Sequence, residues 1–306
     1  MKSYCFGIDI GGTAVKLGLF DLSGELILKR EIPTRLEDHG SLVLPDTAAA
    51  AEQMLSELNA GWQDTGGIGM AVPGPLTEDG FVSRSVNLGW ENMNARDIMR
   101  DLTGLDAVAA ENDAKTAALG EWWKGGHGDC RSAVMITIGT AVGGGVVVDG
   151  KILRGAFCAA GELSHIQIHL EETELCACGK FGHLQQYVAA EAIIRDHARR
   201  SGKAPLPDAK AVFDAAKQGD AAALATVDMV SRSLARVMAM VSAVVDPELY
   251  LIGGGIAKAG DFLLDRIRKD FREIVLFTSE DARIEPATLG SDAGMYGAAK
   301  LILSNL

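Results

Sequence analysis

"FGIDIGGTAVKLGLFD", residues 6–21, decides the fold: two apolar runs flank Gly11-Gly12-Thr13, which reads as strand, tight turn, strand. The tetrapeptide Gly12-Thr13-Ala14-Val15 returns as Gly139-Thr140-Ala141-Val142, and the same shift drops Gly18 onto Gly145. Both copies follow an apolar strand ending in alternation, Ile8-Asp9-Ile10 and Ile136-Thr137-Ile138. A duplicated strand, turn, strand unit implies two similar domains facing each other across a central cleft.

Glycines in such a turn let backbone N–H groups approach an anion, and a threonine hydroxyl adds a further donor. The alternative is an ordinary hairpin turn. Asp9 favours the anion reading, because a carboxylate at the end of an apolar strand is costly as structure yet useful beside a phosphate-bound Mg²⁺. Candidate nucleotide contacts are therefore Asp9, Gly11, Gly12, Thr13 and Lys16 in the first copy, with Gly139, Thr140 and Gly143 in the second.

Strand-like segments Cys5–Ile10, Val15–Phe20, Leu26–Ile32, Gly67–Val72 and Ala107–Ala110 alternate with helical ones such as Ala48–Leu58 and Ala95–Leu102. After Ser132 the pattern restarts, with strands at Ala133–Ile138, Gly145–Val148 and Leu249–Ile252 and helices at Leu184–Arg200 and Ala221–Val245. That is an α/β chain, and 306 residues suffice for two domains each with its own core. The expected division is a smaller domain from 1–114 plus 292–306 and a larger one from 115–291.

With 29 Lys plus Arg against 41 Asp plus Glu, the chain is acidic, and no basic run is long enough to follow a nucleic acid or an anionic membrane. No apolar segment approaches the ~18 uncharged residues of a membrane helix, and no leader is evident. A cytoplasmic location with reduced thiols is expected, the five cysteines being too few and too scattered for a disulfide scaffold.

Three further clusters carry chemistry. Gly253-Gly254-Gly255 follows a strand but lacks the spacing of a dinucleotide fingerprint; Gly254 reads as backbone lying against adenosine, or as a plain strand-to-helix turn. Glu111-Asn112-Asp113 sits where a buried strand meets a helix, so Asn112 or Asp113 caps that helix, or Asp113 is the base that takes a proton from an alcohol. His165, Cys176, Cys178 and His183 supply two imidazoles and two thiols, a set able to close a tetrahedral Zn²⁺ site, although a Cys-x-Cys pair also occurs as two plain thiols. His39, His127, His169 and His197 read as exposed or loop histidines without a chemical role.

Asp9-Ile-Gly-Gly-Thr13, Gly69-Met-Ala-Val-Pro-Gly-Pro75, Asn87-Leu-Gly-Trp90, Glu111-Asn-Asp-Ala114, Thr137-Ile-Gly-Thr140, Gly143-Gly-Gly145, Gly161-Glu-Leu-Ser-His165 and Cys176-Ala-Cys178 occur in that order along nearly the whole chain. Together they resemble the repressor, open reading frame and kinase (ROK) family of sugar kinases. The resemblance implies an actin-like ATPase (ribonuclease H-like) fold, with ATP between the domains and a hexose deeper in the cleft. It implies an ATP-dependent hexose kinase acting on the 6-hydroxyl, with glucose the leading acceptor and N-acetylmannosamine, fructose, mannose and allose as alternatives. Asp113 would be the catalytic base, and Asn87, Asn112, Glu162, His165 and Gln185 would hold the sugar. Mg²⁺ would accompany ATP, a structural Zn²⁺ would hold the loop of Glu162 and His165, and the chain would assemble as a homodimer or homotetramer.

The sequence departs from the family pattern at four places. His183 stands where a cysteine is usual, Gln185 where a glutamate meets the sugar, Ala141 where glycine is common, and Lys115 where the residue is commonly neutral. Imidazole is an equally competent zinc ligand. Gln185 puts sugar identity in question, because an amide both donates and accepts. Repressors of the family place a DNA-reading helix-turn-helix ahead of the first turn, and the eight residues before Asp9 leave no room for one. A catalytically silent sugar sensor is the remaining alternative.

Overall fold

The computed structural model describes residues 2–127 and 130–306. The chain divides into two compact units, Met1–Gly128 with Gly145–Ala160 and Leu289–Leu306, and Asp129–Gly144 with Gly161–Thr288.

In the first unit β1 (Tyr4–Ile10) pairs antiparallel with β2 (Ala14–Asp21), and β2 with β3 (Leu26–Pro33). On its other side β1 pairs in parallel with β4 (Thr65–Val72). A small hairpin, β5 (Phe81–Ser85) and β6 (Trp90–Asn94), precedes β7 (Val108–Asn112), which closes the sheet beside β4. The sheet order is β3-β2-β1-β4-β7.

β4 is buried along its whole length because helices cover both sheet faces. On one face Phe6, Ile8, Leu17, Ile68 and Met70 pack with Leu44, Met54 and Leu55 of the helix Val43–Glu57. On the other, Cys5 and Phe20 meet Met295, Ala299 and Ile302 of the helix Ala293–Leu303. That helix lies so close to the sheet that a Cβ on Gly69 would fall 1.8 Å from the Ala298 carbonyl oxygen.

The helix Asp113–Lys124 belongs to this unit, whereas the division expected from sequence ended the unit at residue 114. The reason is a close helix crossing: a Cβ on Gly297 would fall 1.7 Å from the Thr116 carbonyl oxygen. Residues 145–160 also join the first unit.

The second sheet comprises β8 (Ser132–Ile138), β9 (Val142–Val148), β10 (Lys151–Ile152), β11 (Leu249–Gly253) and β12 (Arg283–Pro286), in the order β10-β9-β8-β11-β12. Each sheet thus has its third, second, first, fourth and fifth strands side by side, so the repeat read from sixteen residues extends to whole-sheet topology. β11 is buried against the helices Ala221–Val245 and Asp261–Ile274 through Tyr250, whose ring lies 5.7 Å from that of Phe271 and whose hydroxyl donates to Met238 O at 2.7 Å. The long helix ends where Asp246-Pro247 predicts, Asp246 turning left-handed at φ 50°.

The duplication is out of step by one residue at the turn. β1 and β8 are both seven residues long with the same burial sequence, which equates Asp9 with Thr137 and Gly11 with Gly139. β2 and β9 match in burial when Val15 is set on Val142, so the second turn is one residue shorter. Its closing bond reflects this: Gly11 N–H donates to Ala14 O at 3.0 Å, but Gly139 N–H to Ala141 O at 2.9 Å. The shared tetrapeptide aligns the second strands and slips the first.

The helix expected over Leu184–Arg200 is two helices, Gln185–Val188 and Ala190–Ser201, broken at an extended Ala189. The break frees the Ala190 N–H to donate to Gly139 O at 2.9 Å. Among the described residues no helix is long and apolar enough to cross a membrane.

Candidate active site

The first unit gathers its chemistry at the C-terminal ends of β1 and β7. Asp9 closes β1, opposite Lys16 on β2. Its carboxyl group lies against Gly294 at the start of the last helix, where a Cβ would come within 2.7–2.9 Å of the carboxylate atoms. Burial, then the charge of Asp113, pushes the Asp9 pKa up to about 6, with Lys16 opposing. A helix N-terminus favours the ionised form in the opposite sense.

The turn after Asp9 is half-buried at Gly11 and Gly12 and exposed at Thr13. It is braced from behind: Thr34 Oγ1 donates to Gly11 O at 2.6 Å, and Thr34 N–H to Thr13 O at 3.0 Å. Asn87, exposed in the β5–β6 turn, stands beside it, its carbonyl oxygen 3.2 Å from where a Gly12 Cβ would be. Lys16 donates to Ser291 O at 2.5 Å and lies 3.8 Å from Asp292, so its charge serves the loop before the last helix.

At the end of β7 the capping role falls to Asn112. Asn112 is the N-cap, its Oδ1 accepting the N–H groups of Ala114 at 3.1 Å and Lys115 at 3.2 Å. Its amide nitrogen donates to Gly74 O at 3.2 Å and to Asp113 Oδ1 at 3.0 Å. Asp113, half-buried in the first helical position, also accepts its following N–H at 2.9 Å. A carboxylate so placed is held in orientation by its donors.

Glu111 is buried; its Oε1 accepts Asn112 N–H at 2.8 Å and its Oε2 the Arg154 Nε–H at 2.5 Å. Lys115 is buried as well, and its ammonium donates to the Cys158 carbonyl oxygen.

In the second unit the turn Gly139–Ala141 opens onto a pocket of about 420 Å³. Phe213, Ala190, Ala209 and Ile256 give it apolar walls, Gly139 and Thr140 stand at one edge, and Lys210, Lys217 and Lys258 line it together with Asp208 and Asp214, Lys210 pairing with Asp214 at 2.5 Å. Gly254 turns at φ 80°, where a Cβ would strike the Ile138 carbonyl oxygen at 2.3 Å, and leads into the short 3₁₀ turn Gly255–Ala259. Gly143, half-buried, lies on β9. Gln185 faces the same turn: its Oε1 accepts the Val142 N–H at 3.1 Å.

The sequence reading did not find Phe213 or its helix, Ala209–Lys217. The signal was present as apolar residues at 209, 212, 213 and 216 behind Asp208, whose carboxylate caps the Ala211 N–H at 2.7 Å.

The ligand atoms of His165, Cys176, Cys178 and His183 all lie within 4.8 Å of one another. His183 Nδ1 is 3.4 Å from His165 Nδ1 and 3.3 Å from Cys178 Sγ. A tetrahedral ion with Zn–N near 2.0–2.1 Å and Zn–S near 2.3 Å holds its ligand atoms roughly 3.3–3.8 Å apart; the two His183 Nδ1 separations match that spacing, the donor types suit zinc, and the set as a whole, spread to as much as 4.8 Å, would draw in slightly around an ion. The backbone turns tightly here, with Cys176 N–H donating to Lys180 O at 2.7 Å and Gly179 N–H to Cys176 O at 2.8 Å. Glu162, exposed, begins the short turn Leu163–His165 that presents His165.

Of the histidines expected to be exposed or in loops, two are buried: His127, which does lie in a loop, and His197, which lies in the helix Ala190–Ser201. His127 is buried with Nε2 3.4 Å from Glu121, a fully buried carboxylate, and His197 is buried 3.8 Å from Asp220. Both sit against acids that the local sequence does not announce.

The ROK family model matches residues 5–305. A glucokinase of Halalkalibacterium halodurans is 37% identical over 310 residues, spanning 97% of this chain and 94% of that one. A ROK hexokinase from Thermus thermophilus superposes with a TM-score of 0.88 at 31% identity, covering 99% of this chain and 100% of the other. A ROK family glucokinase from Streptomyces griseus, solved with glucose and AMPPNP, gives 0.74 at 29% identity over 97% and 98% of the two chains. With the duplicated sheet order, these neighbours establish the actin-like ATPase fold, and the chain belongs to the ROK family.

Proposed function

We propose that the protein is an ATP-dependent hexose kinase, a glucokinase that transfers the γ-phosphoryl group of ATP to the sugar 6-hydroxyl. The observation that carries the reading is Asp113, held by Asn112 and a backbone N–H at the mouth of β7, its charge felt by Asp9 at the mouth of β1. The glucokinase relatives and the glucose complex support the acceptor.

Asp113 accepts the proton of the 6-hydroxyl as its oxygen bonds to the γ-phosphorus and the bond to the β-phosphate oxygen breaks, releasing ADP. Asn87, Asn112, Glu162, His165 and Gln185 orient the sugar. Gly11, Gly12, Thr13, Gly139, Thr140 and Gly143 offer donors to phosphate oxygens, Lys16 and Asp9 flank the first turn, and Gly254 borders adenosine. The pocket beside Phe213 suits the apolar face of adenine. Mg²⁺ neutralises phosphate charge when bound. Asp9 fits a role near it, since two mutually repelling carboxylates gain from a divalent cation.

His165, Cys176, Cys178 and His183 would hold Zn²⁺ through the Nδ1 atoms of both imidazoles, leaving His165 Nε2 for a sugar hydroxyl. The same reading places the chain in the cytoplasm at the entry of sugar into glycolysis, as a homodimer or homotetramer. A coupled ADP-release assay across glucose, mannose, fructose, allose and N-acetylmannosamine tests the acceptor. The highest kcat/KM is expected with glucose, and a tenfold preference for another sugar would reassign it.

A further inference from the structure

β7 is an edge strand of its sheet, and the Asn112-Asp113 pair stands where it gives way to the next helix. Beside them lie two buried charges that the transfer chemistry does not use. Glu111 is 2% exposed and Lys115 is 1% exposed, one just before and one just after the Asn112-Asp113 pair. Both reach the same segment. Glu111 holds the Arg154 Nε–H, and Lys115 donates to the carbonyl of Cys158.

We propose that Glu111, Arg154 and Lys115 form a clamp that fixes segment 154–158 against the Asn112-Asp113 pair, so that Arg154 and Glu111 are positioning residues for the base. The proposal rests on the kinase reading above.

Glu111 uses its two oxygens for two tasks. Oε1 fixes the Asn112 N–H, which sets the peptide from which the N-cap and the base project. Oε2 takes the Arg154 guanidinium, which also lies 3.7 Å from Glu78. Without Arg154 the Glu111 carboxylate would be a buried charge short of its guanidinium. It would then turn away or draw in water, and the Asn112 peptide would lose its acceptor. Packing alone does not call for this arrangement, because apolar side chains of similar volume commonly serve a fold as well as a buried ion pair.

The segment has the stiffness a clamp needs. Cys158 sits at φ 54° and Gly155 at φ 74°, and the Ala160 N–H donates to Arg154 O at 3.0 Å, closing the segment into a compact turn. A misplaced base slows transfer while leaving the nucleotide's contacts in the second unit untouched.

The test uses the full chain with glucose and MgATP. Arg154→Met is expected to lower kcat about tenfold to a hundredfold with the KM for ATP unchanged within about twofold. Arg154→Lys should fall between, and Glu111→Gln with Arg154→Met should recover activity over Arg154→Met alone, since no lone carboxylate remains. Amide exchange of the peptide spanning residues 111–116 should quicken in Arg154→Met, a readout independent of any substrate. Wild-type kcat and wild-type exchange in Arg154→Met would overturn the clamp, as would a double variant no better than the single one. A wild-type chain inactive on every hexose would overturn the kinase reading instead, and the exchange arm would still decide the clamp.

Discussion

The side-chain oxygen of Gln185 accepts the backbone N–H of Val142 at 3.1 Å, tying the helix that follows the histidine–cysteine cluster to the first residue after the second glycine turn. A residue that resemblance assigns to the sugar thus also shapes the turn proposed for phosphates. Gln185→Ala removes that acceptor and is expected to raise the KM for ATP about threefold to tenfold along with that for glucose. Gln185→Glu keeps an acceptor and should spare the ATP term. Initial-rate kinetics varying each substrate in turn separate the two.

The cluster of His165, Cys176, Cys178 and His183 predicts close to one zinc per chain by elemental analysis of protein purified without chelator. Cys176→Ser should lose the metal and lower the melting temperature, and a strong chelator should do the same to the unaltered chain. Metal-free protein with an unchanged melting temperature would remove the structural role.

Asp196 offers a pH test of the second unit's core. Burial alone would raise its pKa, but hydrogen bonds from Arg200, Thr226 and Arg199 hold the carboxyl below the usual carboxylate range. A depressed folded-state pKa gives stability that is present above the unfolded value near 3.9 and lost as pH falls through the folded value. Asp196→Asn is expected to cost about 1–3 kcal/mol at pH 7, and the gap to wild type should close below about pH 4. Urea midpoints at both pH values measure it; a gap that does not change with pH would contradict the assignment.

Gly297 faces the Thr116 carbonyl at a helix crossing. Gly297→Val should therefore destabilise by roughly 1–3 kcal/mol or more, read as a fall in the denaturant midpoint. Gly104, with nothing within 4 Å of an added Cβ, is free of such contact, but its φ of 69° would still strain a substituted side chain.

Much of this was legible in the sequence because the signals are local. Alternating apolar residues gave β1, β2, β8 and β11 to within a residue or two, and Asp246-Pro247 marked the end of the long helix. The Glu111-Asn112-Asp113 cluster announced itself by polarity at the end of a buried strand. What escaped depends on partners far along the chain. The helix Asp113–Lys124 joins the first unit through Gly120 and Gly297, a contact across more than half the sequence. The break at Ala189 answers a carbonyl at Gly139. The one-residue difference between the two turns was hidden by a tetrapeptide identity that aligns only the second strands.

The most direct measurement is glucose-dependent ADP release by Asp113→Asn, with circular dichroism and the melting temperature confirming a folded chain. An amide at this position can hold the geometry of the N-terminal turn but cannot accept the hydroxyl proton. The account predicts a loss of kcat of about 10²–10⁴-fold with glucose binding retained. A folded Asp113→Asn protein turning over glucose at the wild-type rate would contradict it.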